Sequence, residues 1–103
     1  MNIEQAKILI NEEFNSKNGL NVLFRLSQDI DDKRISFFLE ALRSIEKNYR
    51  NEIYIERDLV YKLFNFHQTL QASQNHWKND RPKGLTYEIC FEIFTTIGNV
   101  FAD

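Results

Sequence analysis

Apolar side chains recur at three- and four-residue steps along most of the chain, the spacing that gathers them on one face of an α-helix. Ile35, Phe38, Leu39, Leu42, Ile45 and Tyr49 form one stripe. Leu59, Leu63, Phe66 and Leu70 form a second, and Ile89, Ile93, Phe94 and Ile97 a third. No catalytic or ligand motif interrupts them. The pattern predicts an all-α fold: a single compact domain of about five helices, spanning residues 1–103.

The polar positions between the stripes set the expected boundaries. Asn2 is placed to cap a first helix, with Gln5 three positions on in capping-box spacing and Ala6, Leu9, Ile10 and Phe14 as its buried stripe. Asn18-Gly19 is expected to close it, since both residues tolerate a left-handed backbone. A short second helix over Leu20 to Gln28, with Val22, Leu23, Phe24 and Leu26, is apolar on most sides. The acidic run Asp29 to Asp32 supplies the cap of the third helix, Lys33 to about Asn48, and favours the positive end of its dipole. Between Asn51 and Arg57, Ile53 and Ile55 alternate as in a strand. No second strand is available to pair with them, so this stretch is read as the entry to a fourth helix ending near Ser73. The last helix starts near Thr86 and ends near Phe101, with Gly98 inside it marking a close contact or fraying. That leaves Gln74 to Leu85 as a long non-periodic segment holding the only Pro, the only Trp and three cations.

Composition narrows the class. Nine Phe, four Tyr and one Trp make an aromatic-heavy core, which suits a small domain because each ring buries a large area. Cys90 is the only cysteine, so no disulfide forms within the chain, and a reducing compartment is expected. Met1 to Ile10 has no leader-like apolar run, and no stretch approaches the ~20 apolar residues of a membrane span. The expectation is a cytoplasmic protein. Thirteen basic against fifteen acidic residues leave a formal charge of −2, with no general attraction for nucleic acid or anionic lipid.

Candidate chemistry is sparse. Cys90 lies beside Ile89 and Phe91 inside a helix, where a thiol is inert packing. His67 and His76 have no ligand partner at metal-site spacing, so no metal is expected. Glu12-Glu13 and Asp31-Asp32 are chain neighbours that point apart on a helix, unlike a converging acid/base pair. Three glycines form no phosphate loop. Neither a catalytic residue nor a cofactor is assigned, and an enzyme is not expected.

Partner binding remains. Asp29, Asp31 and Asp32, with Glu12 and Glu13, offer carboxylates to a basic protein surface, where charge speeds docking and selects the partner. Trp77 and Arg81 in the non-periodic segment have the composition of an interface anchor. The competing reading folds Trp77 back onto the core and leaves the neighbouring charges solvated. A DNA-binding alternative treats Val22 to Leu42 as a helix-turn-helix with Arg25, Lys33 and Arg34, or uses the Trp77 loop. Three carboxylates at the turn would repel phosphates and argue against it. A second alternative is a structural subunit or homodimer meeting through Tyr54, Tyr61 and Phe101.

In length, single cysteine, lack of catalytic residues and local charge patches such as Asp29/Asp31/Asp32, the chain resembles small all-helical bacterial immunity proteins. That resemblance implies a non-enzymatic protein that binds and blocks a cognate toxin, such as a nuclease with a basic functional surface. It is one of general character and carries no diagnostic motif. The chain departs from it in its nearly balanced charge.

Overall fold

The Asn2 side chain accepts the Gln5 backbone N–H at 2.8 Å, and the Gln5 amide oxygen accepts the Asn2 N–H at 3.0 Å. This capping box satisfies two donors that the first turn leaves free, and it starts α1 (Ile3–Asn15). The computed structural model describes residues 1–102. Four further helices follow: α2 (Leu20–Arg25), α3 (Asp32–Tyr49), α4 (Arg57–Trp77) and α5 (Tyr87–Val100), with no strand among the described residues. The molecule is therefore an all-α, five-helix domain.

Helix α3 is the central element, with α1 and α5 packed along it, while α2 lies on α4 and α4 closes against α1 and α5. The three stripes face inward. Phe38 of α3, Phe24 of α2 and Phe66 of α4 meet edge-to-face with centroids 5.0 to 6.2 Å apart, and Phe14 of α1 joins at 5.6 Å from Phe66. Edge-to-face rings add to the area they bury, so four helices are tied at one aromatic node.

Helix α3 begins one residue before its expected start, and α5 begins as expected, with Thr86 Oγ1 accepting the Ile89 N–H at 3.1 Å. Several boundaries differ. Asn51 to Glu56 is not the entry to a helix: α3 runs to Tyr49, the chain turns, and α4 starts only at Arg57. The Glu56 carboxylate accepts from Tyr49 Oη at 2.7 Å and from Lys7 Nζ at 2.9 Å, which holds the connection in a non-helical path. At its far end α4 passes Ser73 and continues to Trp77, because Trp77 extends the buried stripe of Leu63, Phe66 and Leu70 by two turns. Helix α2 stops at Arg25, short of Gln28, where Ser27 takes a left-handed backbone with φ 53°. Asn18-Gly19 does not close α1: the helix ends at Asn15 with Ser16 as its C-cap, and Gly19 stands instead at the N-cap of α2. Its φ is −67°, but a Cβ there would sit 2.2 Å from the Glu13 carbonyl oxygen, so the position needs close approach rather than handedness. Asp31 is the N-cap of α3 by position, yet its side chain makes no capping bond; Asp32 occupies the first turn.

Candidate functional site

The expected acidic patch is not free of its opposite. Asp29 Oδ1 accepts the Lys83 N–H at 2.8 Å, and the Ile30 N–H donates to the Lys83 carbonyl at 2.8 Å. Gly84, with φ +87°, lets this clamp close, since a Cβ there would lie 2.1 Å from the Ile30 oxygen. The Asp29–Asp32 loop and the loop carrying Lys78, Arg81 and Lys83 are thus neighbours, and their fields partly cancel. Asp31 and Asp32 stay exposed. Glu13 is committed to the fold. It takes Arg34 Nη2 at 2.6 Å and Nε at 2.9 Å while accepting the Leu20 N–H, and Arg34 also donates to the Asn18 carbonyl. Glu12 is exposed on another face of α1, so it and Glu13 do not act as one patch with Asp29.

Trp77 is not an exposed anchor. It is 2% exposed, and its indole N–H donates to Ser73 Oγ at 2.8 Å and Ser27 Oγ at 3.1 Å. A Trp with its polar atom satisfied inside the fold is a core residue, the second of the two readings of that segment. Arg81 remains exposed, with Nη1 donating to the Leu85 carbonyl at 3.0 Å, which steadies the loop before α5.

The nucleophile candidate and one of the two histidines, His67, have structural surroundings, while His76 is exposed. Burial pushes the Cys90 thiol up to about 11, which keeps it protonated at neutral pH. His67 packs on Phe94 with ring centroids 4.7 Å apart. A cleft of about 440 Å³ lies between α1 and the start of α4, lined by Glu4, Lys7, Glu12, Glu56, Asp58 and Lys62 among others. Its cations are taken up internally: Lys7 pairs with Glu56 and Lys62 with Asp58, and Lys62 also donates to Asn11.

A different surface combines exposure and aromaticity with little charge, Glu88 and Glu92 of α5 being its exposed carboxylates. Helices α4 and α5 run antiparallel, with Trp77 near Tyr87 at one end and His67 on Phe94 further along. Phe64 is exposed on the outer side of α4, and Tyr87 and Phe91 on the outer side of α5, with Phe101 just beyond the helix end; Tyr61 is also exposed but lies on the α1 side of α4, its ring 5.7 Å from Phe14. Between Leu59 and Trp77 the sole charged side chain is Lys62, and that one is buried. On α5 no charge follows Glu92, whose carboxylate is turned aside to Arg43 at 3.0 Å. The outer faces of α1 and α3 differ, since they carry Glu4, Glu12, Asp32, Lys33, Glu40, Arg43 and Lys47. Aromatic enrichment with charge depletion is the composition of an interface centre.

Sequence reasoning marks Tyr61 and Phe101 but not Phe64, Tyr87 or Phe91. The signal is present as a missing one: nearly twenty residues of an amphipathic helix with no exposed charge. Comparison with family models, with curated proteins and with solved structures finds no match. No helix among the described residues is long and apolar enough to cross a membrane.

Proposed function

We propose that the chain is a non-enzymatic protein-binding module that docks through the outer face of α4 and α5. The observation that supports this reading is the exposed set Phe64, Tyr87 and Phe91 on a surface without exposed charge beyond Glu88 and Glu92. Rings held on helices give a rigid apolar contact at little further entropy cost, which is why such residues dominate binding energy at interfaces. The immunity-protein form of the reading, in which the partner is a toxin, rests on the general resemblance. In that form the aromatic face meets an apolar part of the toxin, and Asp31 and Asp32 act at the rim.

Two sets of variants separate these contributions. Replacing Phe64 and Phe91 by Asp is expected to abolish partner binding with the helical circular dichroism unchanged. Charge reversal at Asp31 and Asp32 is expected to slow association at low salt and to matter little at high salt. Binding that survives the aromatic changes and fails with the acidic ones would move the docking site to the Asp29–Asp32 loop. The DNA-binding alternative has less support, because Arg34 is engaged by Glu13 and the Asn18 carbonyl.

A further inference from the structure

Gly98 has no role inside its own domain. It lies on the exposed side of α5, and a Cβ built on it meets nothing within 4 Å. Glycine is a poor helix former, and neither a left-handed backbone nor an intramolecular close approach explains it in the last turn of a fourteen-residue helix. One helical face joins it to the aromatics. At about 100° per residue, Tyr87, Phe91 and Gly98 fall within about 40° of one another, and Phe94 borders them on the α4 side. Phe91 is 70% exposed, so the stripe carries an unburied ring two turns before an unfilled gap.

We infer that this stripe pairs with itself: α5 of one copy lies antiparallel on α5 of a second, with Phe91 of each seated over Gly98 of the other. A two-fold interface needs a surface that is its own complement, so each knob must find its hole on the same patch. Here the axis passes between Phe94 and Thr95, and the Phe91–Gly98 contact then forms twice. The charges permit it. Residues 93–101 carry none, Glu92 is drawn away to Arg43, and the two Glu88 side chains fall at opposite ends of the pair, about 20 Å apart along the axis. A face selected for a strongly charged partner would instead show a complementary charge at its centre. The inference rests on the reading of the α4–α5 face as a docking surface and names its occupant as a second copy of this chain.

The test is the mass of the full chain by light scattering and sedimentation over a range of concentrations, with circular dichroism as a check on folding. A dimer is expected. Phe91→Ala and Gly98→Leu should each weaken it about thirtyfold or more, the size of an aromatic hot-spot loss. The double variant Phe91→Ala/Gly98→Leu should recover much of the affinity, because the larger side chain at position 98 then fills the space that Phe91 of the other copy has left. Additive weakening in the double variant, with both singles folded, would overturn the Phe91–Gly98 register. A wild type that stays monomeric would overturn the second-copy inference altogether. In that case, loss of a co-purifying partner with Phe91→Ala leaves the docking reading standing, and no face-dependent partner at all removes both.

Discussion

Trp77 Nε1 donates to Ser73 Oγ at 2.8 Å, one turn back along α4, and Ser73 Oγ lies 2.7 Å from Ser27 Oγ on the turn after α2. A single indole N–H therefore ties the end of the longest helix to the shortest. Trp77→Phe keeps most of the apolar volume but removes the donor. The expected loss is about 1–3 kcal/mol in urea unfolding, the sum of one buried hydrogen bond and incomplete filling. Circular dichroism is the readout, since the only fluorophore of its kind goes with the substitution. In the wild type the same burial shields Trp77 from acrylamide quenching, and strong quenching would contradict its place in the core.

Much of this fold is legible in the sequence, and the reasons are local. The stripes of α3 and α5, the Asn2–Gln5 box and the Thr86 cap all lie within four residues of their partners, so spacing alone reveals them. Trp77 is harder to place although its spacing of seven from Leu70 continues the α4 stripe; the nearby Pro and cations mask it. What spacing does not carry is proximity between distant segments. Asp29 and Lys83 are 54 positions apart, and nothing in either neighbourhood announces the clamp that offsets the acidic patch. The aromatic face has the same origin, because it exists only once α4 and α5 lie side by side.

Glu13 shows what a committed carboxylate contributes. It accepts two bonds from Arg34 and one from the Leu20 N–H, at the junction of α1, α2 and α3. Glu13→Ala leaves the Leu20 N–H without its partner and frees one side of Arg34. A loss of about 1–3 kcal/mol is expected in denaturant unfolding, with weak salt dependence because the Glu13 side chain is mostly covered. Glu12→Ala, one residue earlier and exposed, is expected to change stability by less than about 0.5 kcal/mol.

The Glu56 latch predicts a pH dependence with a definite sign. Bonds from Tyr49 and then Lys7 hold the Glu56 carboxyl at about 2, below its ordinary 4.5. A group depressed on folding stabilises the native state above its unfolded value, and that contribution is lost as the pH falls through the folded value. The stability difference between wild type and Glu56→Gln should thus be complete above about pH 5 and shrink from there towards pH 2. Because Glu56 is more than half exposed, solvent screening limits the full difference to about 1 kcal/mol or less. Melting temperatures of both proteins across that range provide the measurement; a gap that widens on acidification would contradict the latch.

Three glycines respond to one substitution for three different reasons, two with a loss and one with a gain. At Gly84 the backbone has φ +87° and a Cβ would strike the Ile30 carbonyl, so Gly84→Ala opens the clamp to Lys83 and should cost about 1–3 kcal/mol. At Gly19 the backbone angle is ordinary, but a Cβ would meet the Glu13 carbonyl at 2.2 Å, so a loss is again expected, now from sterics alone. At Gly98 nothing is in the way, and alanine has the better helix propensity, so Gly98→Ala should stabilise the isolated domain by up to about 1 kcal/mol. Unfolding in a Phe91→Asp background, where pairing through α5 is removed, isolates that gain from any effect on association. A stabilised domain that pairs less well would mean that Gly98 serves a contact between molecules at the expense of its own helix. A destabilised one would mean that α5 has a neighbour inside the domain at that point, and the open stripe beside Phe91 would no longer be available to a second copy.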